Sequence, residues 1–182
     1  MIKLYFLPLN MSSIYSIGHG NKPFELFLKE LKSFNIKFLI DVRSRPYSKW
    51  NPQFNKHALQ EELDKHDIKY VFMGDSLGGL PDDRSCYDPH GKVIYDKIKE
   101  KDSFKYGLKR LISANEKDIL VAIMCSESNP LQCHRNKLIG AELLSKEKIS
   151  TNHIVAENKI KSQEMIMGEI TRGEGNADLF SE

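Results

Sequence analysis

Short apolar runs alternate along the chain with longer stretches in which apolar residues recur every three or four positions. This alternation predicts a βαβ protein. "SIYSIG" (13–18) reads as a strand stopped by a glycine. "KPFELFLKELKSF" (22–34) carries Phe24, Phe27, Leu28 and Leu31 at helical spacing, with Pro23 in a first-turn position. "KFLIDV" (37–42) is continuous enough for a strand buried on both faces. "KHALQEELDKH" (56–66) returns to helix and "IKYVFMG" (68–74) to strand. Two helical stretches follow, near 93–100 and 103–115, then the strand "DILVAIMC" (118–125). "LQCHRNKLIGAELLS" (131–145) has a helical pattern that Pro130 is placed to open, and "NHIVAE" (152–157) reads as a last short strand. The predicted architecture is α/β, a single domain with a mostly parallel four- or five-stranded sheet and helices on both faces.

Residues 11–157 form that domain on this reading, with 1–10 an N-terminal extension and 158–182 a polar tail. The opening "MIKLYFLPLNM" is too short for a secretory signal, and Met11 offers an alternative start to Met1. The tail from about Lys159 is polar and carries Gly168, Gly173 and Gly175, so fraying is expected there.

Two loops stand out. "RSRPYSKWNPQFN" (43–55) mixes prolines, basic residues and aromatics, and "DSLGGLPDDRSCYDPHGKV" (75–93) is too long for a mere connector. In open parallel sheets, ligands bind outside the carboxyl ends of the strands. "GHGN", "DVRSRP", "GDSLGG" and "CSESNPLQCHR" each follow a predicted strand, so the unusual residues are expected along one edge.

The last of these stretches sets Cys125, Glu127, Cys133, His134 and Arg135 close together. With a helix opening near Pro130, Cys133, His134 and Arg135 fall in its first two turns, where free N–H groups favour an anion and depress a thiol pKa. The bland alternative keeps Cys125 as a small buried strand residue and Arg135 as a clamp on the loop. Cys125, Cys133, His134, Cys86, His19 and His90 could supply metal ligands. However, seven residues separate Cys125 from Cys133, and adjacent helical residues point apart, so no metal or other cofactor is predicted. Asp41 and Arg43 lie on one side of a strand end. They form either an ion pair or an acid–base group beside an anion clamp of Arg43 and Arg45, with Ser44 adding a hydroxyl. His19 sits between two glycines that permit close approach of a ligand, but "GHGN" is no dinucleotide fingerprint. "SLGGLP", with Gly78 and Gly79, reads as a lid, a phosphate-cradling turn or a simple loop turn. Tyr47, Trp50 and Phe54 alternate with basic residues, as a nucleobase-stacking surface does. The hydrophobic underside of a long loop is the preferred reading of them.

Composition narrows the function classes. The net charge is +2, so any affinity for polyanions must come from a local patch. The cysteine count of 3 is wrong for a disulfide-built secreted domain and points to a reducing cytoplasm. No stretch approaches membrane-spanning length, so no membrane partner is expected.

Taken in order, "YSIGHGN", "LIDVRSRPYS", "FN" at 54–55, "SLGG" and "CSESNPLQCHR" resemble a widespread prokaryotic family, domain of unknown function 488. The resemblance runs from Ile14 to Glu157 and implies a Rossmann-like α/β domain without implying a reaction. Its motifs add Asn55 to the candidates. The leading expectation is an enzyme acting on an anionic substrate: a nucleotide, nucleic acid or phosphorylated compound. Cys133 would be nucleophile or redox thiol, and His134, Glu127 or Asp41 the acid or base. His19, Arg43, Ser44, Arg45, Asn55, Gly78, Gly79, Cys125 and Arg135 would hold the substrate. The alternatives are a non-catalytic nucleic-acid or nucleotide-binding module and a metal-dependent hydrolase.

Overall fold

The computed structural model describes residues 12–172. The extension expected at residues 1–10, the start at Met11 and the last ten residues of the tail lie outside the described residues. The strands are β1 (Ile14–Gly18), β2 (Phe38–Asp41), β3 (Lys69–Phe72), β4 (Val121–Cys125), β5 (Asn152–Ala156) and β6 (Lys159–Ser162). The helices are α1 (Phe24–Ser33), α2 (Lys56–Asp64), the single turn α3 (Gly74–Leu77), α4 (Tyr95–Glu100), α5 (Asp102–Glu116), α6 (Ala141–Glu147) and α7 (Gln163–Thr171). Together they make one mixed α/β domain of Rossmann-like type. Among the described residues no helix is long and apolar enough to cross a membrane.

The sheet has six strands in the order β3-β2-β4-β1-β5-β6, parallel except for the β5–β6 pair. Four or five strands were expected, and the sixth is the start of the supposed loose tail. Polar composition hides β6, an edge strand, and in α7 the apolar Met165, Met167 and Ile170 are largely exposed rather than set on one core-facing stripe. What anchors α7 is a buried polar residue, Gln163, together with Ile166. Ser162 caps the helix by accepting a hydrogen bond from the Met165 N–H.

Alternation along the central strands sorts the core into two layers. Ile14, Ile40, Val121 and Ile123 face one side and pack with Phe104, Leu108 and Leu111 of α5 and Leu143 of α6. Tyr15, Ile17, Leu39, Ala122 and Met124 face the other and pack with Phe27 and Leu31 of α1 and Leu59 and Leu63 of α2. Each such buried side chain contributes about 1.5–3 kcal/mol. The two layers hold the central strands level: Gly18 stands opposite Cys125, and Asp41 opposite Met124. The carboxyl ends of β1, β2 and β4 therefore open on one place.

Candidate functional site

At those strand ends lies a hollow of about 560 Å³, and His19, Arg43 and Cys133 all line it. Three segments distant in the chain thus meet there, as the placement of motifs after strands requires.

The sulfur wall is built by an excursion of the backbone. β4 ends at Cys125, and the loop that follows crosses the end of β1. The crossing needs a glycine there, because a Cβ on Gly18 would lie 2.0 Å from the Glu127 carbonyl oxygen. The Asn129 side chain accepts from the Leu131 N–H and starts a 3₁₀ turn, Pro130–Gln132. Pro130 does open a helical turn, but the main helix does not start there. Cys133 is extended (φ −93°, ψ 146°), and its carbonyl accepts from the Asn136 and Lys137 N–H groups. The continuous helix runs on from it, first as a wide π segment, Arg135–Gly140, then as α6. The turn and the extended residue together carry Cys133 back beside Cys125.

The two sulfurs and His134 Nδ1 lie within 4.8 Å of one another, and Nδ1 is 3.8 Å from each sulfur. The expectation that Cys133 and His134 point apart is therefore overturned. Cys133 is not yet helical, so successive side chains need not diverge by a helical angle. His134 Nε2 donates to the Val42 carbonyl at 3.2 Å, which fixes the tautomer and leaves the Nδ1 lone pair facing the sulfurs.

Arg135 lies beneath this cluster with 1% of its surface exposed. Its Nε donates to Cys133 Sγ at 3.2 Å, one terminal nitrogen to Ser16 Oγ at 3.1 Å and the other to the Glu127 carbonyl at 2.6 Å. No carboxylate among the described residues forms an ion pair with it. Ser16 donates in turn to His153 Nδ1 at 2.7 Å, and His153 Nε2 donates to Gln163 Oε1 at 2.8 Å. Gln163 closes the chain by donating to Asn136 Oδ1. Burial above all, with Arg135 nearby, lowers His153 to about 4, so it is neutral and supplies no counter-charge. A buried guanidinium without an anion is costly, and the thiol pair is the group at hand to provide one. The Cys133 thiol donates to Cys125 and, with the Glu127 N–H, holds it far below the ordinary thiol value. Cys133 is raised in consequence, since it keeps the proton that stabilises its neighbour, and burial adds to this.

The opposite wall is already paired. Asp41 is 0% exposed and does not line the hollow. It accepts from Arg43 Nε at 2.9 Å, from an Arg43 terminal nitrogen at 2.6 Å and from the Tyr70 hydroxyl at 2.6 Å. Its oxygens are occupied and closed to water, which favours the ion-pair alternative for Asp41 over the acid–base one. Arg43 also donates to the Phe54 carbonyl at 2.7 Å and to His19 Nε2 at 3.2 Å, so its fork is largely used and it is a wall rather than a free anion clamp. His19 donates from Nδ1 to the Gly20 carbonyl and stacks on Phe54 at 4.3 Å. Burial, opposed by that hydrogen bond and aided by Arg43, brings it down to about 4.

The rim carries the free groups. Arg45 is exposed, lines the hollow and has no side-chain partner among the described residues. Ser44 Oγ is spent on the Leu80 N–H, pinning the glycine loop. Gly79 packs flat on the His134 ring, where a Cβ would come within 2.7 Å, while Gly78 backs onto Ser44 away from the hollow. Neither glycine cradles an anion in this arrangement. Asn55 does not line the hollow either, and its side chain accepts from the Ser48 N–H and shapes the 43–55 loop. Glu127 lines the hollow, but its carboxylate accepts from the Asn129 N–H. Of the loop aromatics only Phe54 is buried; Tyr47 is 77% and Trp50 80% exposed, with Lys49 stacked over the Trp50 ring. The underside reading therefore holds for Phe54 alone. Tyr95, Asn21, Asn51 and Gln132 also line the hollow and were not singled out from sequence. Burial and the nearby sulfurs raise the Tyr95 phenol. Its place between a long loop and α4 carries no motif by which to find it.

The family model described as "Domain of unknown function DUF488" matches residues 23–141. That span includes both long loops and the Cys125–Arg135 stretch, but not His19, His153 or Gln163. No curated protein and no solved structure matches the chain.

Proposed function

This chain belongs to the DUF488 family, whose description names no reaction, and from that premise we propose a function on the site alone. The protein is an enzyme that binds an anionic substrate in the strand-end hollow and attacks it with a thiolate. The observation that carries this reading is Arg135, a buried cation whose nearest candidate counter-ion is the Cys125–Cys133 pair. A negative charge held on sulfur beside an open hollow is a nucleophile at rest.

Cys125 is the attacking atom on this reading, in place of Cys133. It ends β4 with its sulfur toward the hollow, while Cys133 lies deeper against Arg135. The Cys125 sulfur forms a bond to the electrophilic centre, and the leaving group departs with its electron pair. Once Cys125 is neutral, Arg135 lowers the remaining Cys133 thiol, which gives its proton to the leaving group. Arg45 draws in the anion, and Arg43 with neutral His19 forms the polar back wall. The substrate class is a phosphorylated compound, a nucleotide or a nucleic acid. The test is a thermal-shift screen of nucleotides, sugar phosphates and oligonucleotides, followed by turnover assays on each stabilising ligand. Stabilisation and turnover that survive in Arg45→Ala and in Cys125→Ser respectively would reject the anion site and the thiol mechanism in turn.

A second reading is favoured by the exposure of Tyr47 and Trp50 beside Lys49. A non-catalytic module would stack nucleobases on these rings. It predicts strongly salt-dependent binding, no turnover and indifference to thiol alkylation.

A further inference from the structure

His134 is oriented for more than proton exchange. Its Nε2–H is committed to the Val42 carbonyl, so its Nδ1 lone pair points into the space that both sulfurs border. In a tetrahedral zinc centre, Zn–S distances of about 2.3 Å and Zn–N of about 2.0–2.1 Å set ligand atoms roughly 3.5–3.8 Å apart. Nδ1 stands 3.8 Å from Cys125 Sγ and 3.8 Å from Cys133 Sγ, with all three atoms inside 4.8 Å. The two nitrogen–sulfur spacings thus fall at the edge of what zinc needs, and side-chain adjustment alone can bring the sulfurs to theirs.

The surroundings fit as well. Two thiolates and an imidazole are a soft set that zinc prefers over magnesium or calcium. A ligating histidine characteristically donates its other ring nitrogen to a carbonyl or carboxylate, as His134 does to Val42. Arg135 Nε on Cys133 Sγ is an outer hydrogen bond of the kind that steadies a metal thiolate. The cluster is walled by protein on the Val42 and Arg135 sides and open on the side of the hollow.

We propose that Cys125, Cys133 and His134 bind one zinc-class divalent cation, with its fourth position open to the hollow. Binding needs only the geometry above. A bound ion and a free thiol nucleophile exclude each other, so the ion would act as a reversible block on the thiolate chemistry. That regulatory half rests on the reading proposed above.

The test uses the full chain, stripped with a chelator and titrated with Zn²⁺ against a chromophoric competitor, then with Co²⁺. One equivalent bound, visible d–d bands of tetrahedral cobalt and thiolate-to-cobalt charge transfer are the expected results. Cys125→Ser, Cys133→Ser and His134→Gln should each weaken binding about tenfold or more, with far-ultraviolet circular dichroism confirming the fold. Cys86→Ala, outside the three-residue cluster, should leave binding unchanged. Wild-type protein without the charge-transfer band, or binding unchanged in the Cys125→Ser/Cys133→Ser double variant, overturns the site. Iodoacetamide labelling separates the two claims. Cobalt bands with no labelling of the stripped protein would uphold the metal site and reject the thiolate. Ready labelling that Zn²⁺ does not slow, without cobalt bands, would do the reverse.

Discussion

Two buried arginines flank the hollow, and they are balanced differently. Arg43 is held in a two-pronged ion pair by a fully buried aspartate. Arg135 is buried even more completely and has sulfur, a serine hydroxyl and a carbonyl instead. The difference lies in what each partner becomes without its arginine. Neutralising an aspartate of ordinary pKa near 3.9 at pH 7 costs about 4 kcal/mol. A thiol with an ordinary pKa near 8.5 is neutral at pH 7 at almost no cost. Arg43 is therefore matched within the fold, whereas on the proposed reading Arg135 maintains a charge on sulfur.

Arg43→Met should be the most damaging change, destabilising the protein by about 3–5 kcal/mol as Asp41 is left buried and unpaired. Urea unfolding at pH 7 measures it, and a loss no larger than that of Arg135→Met would erase the distinction between the two arginines. Each arginine also has a neutral histidine nearby, His19 for Arg43 and His153 for Arg135, and both titrate near 4. Their folded pKa values are depressed below the unfolded value of about 6.5, so the folded state resists protonation. Stability is thus full above about pH 6.5 and should fall by about 3 kcal/mol per histidine as pH drops through 4. The acid limb of a stability-versus-pH curve should flatten in His153→Gln.

Arg135→Met should cost less, about 1–2 kcal/mol, chiefly for the hydrogen bonds lost by Ser16 and the Glu127 carbonyl. Its larger effect is chemical. Iodoacetamide labelling of Cys125 at pH 7 should slow about tenfold or more as the thiol returns toward its ordinary pKa near 8.5, and recover at high pH. Labelling at the wild-type rate would show that Arg135 does not hold the charge. The smallest effect on the fold belongs to Arg45→Ala, within about 0.5 kcal/mol by thermal unfolding. The same change should weaken an anionic ligand about tenfold, through one lost charge-assisted hydrogen bond.

The strand ends were legible because hydrophobic periodicity marks β1, β2 and β4 clearly, and the rule for open sheets then places His19, Arg43 and Cys125 together. Asp41 and Arg43 were left between ion pair and active pair, since a sequence shows adjacency and not occupancy. β6 and α7 escaped because Gln163, their anchor, is buried through hydrogen bonds to His153 and Asn136, while Met165, Met167 and Ile170 are exposed and mark no clear core face. The convergence of Cys125, Cys133 and His134 was hidden by the 3₁₀ turn, Pro130–Gln132, and the extended Cys133, since spacing rules assume regular helix or knuckle.

The order of apolar and polar residues determined, by itself, the alternation of strands and helices and the edge at which reactive groups collect. Folding decided which of those groups are free. Hydrogen-bond capacity is finite and shared across distant segments: Tyr70, Phe54 and His19 spend the capacity of Asp41 and Arg43, while among the described residues no carboxylate reaches Arg135. Only their positions in space tell an arginine matched by a carboxylate from one held by sulfur, a hydroxyl and a carbonyl.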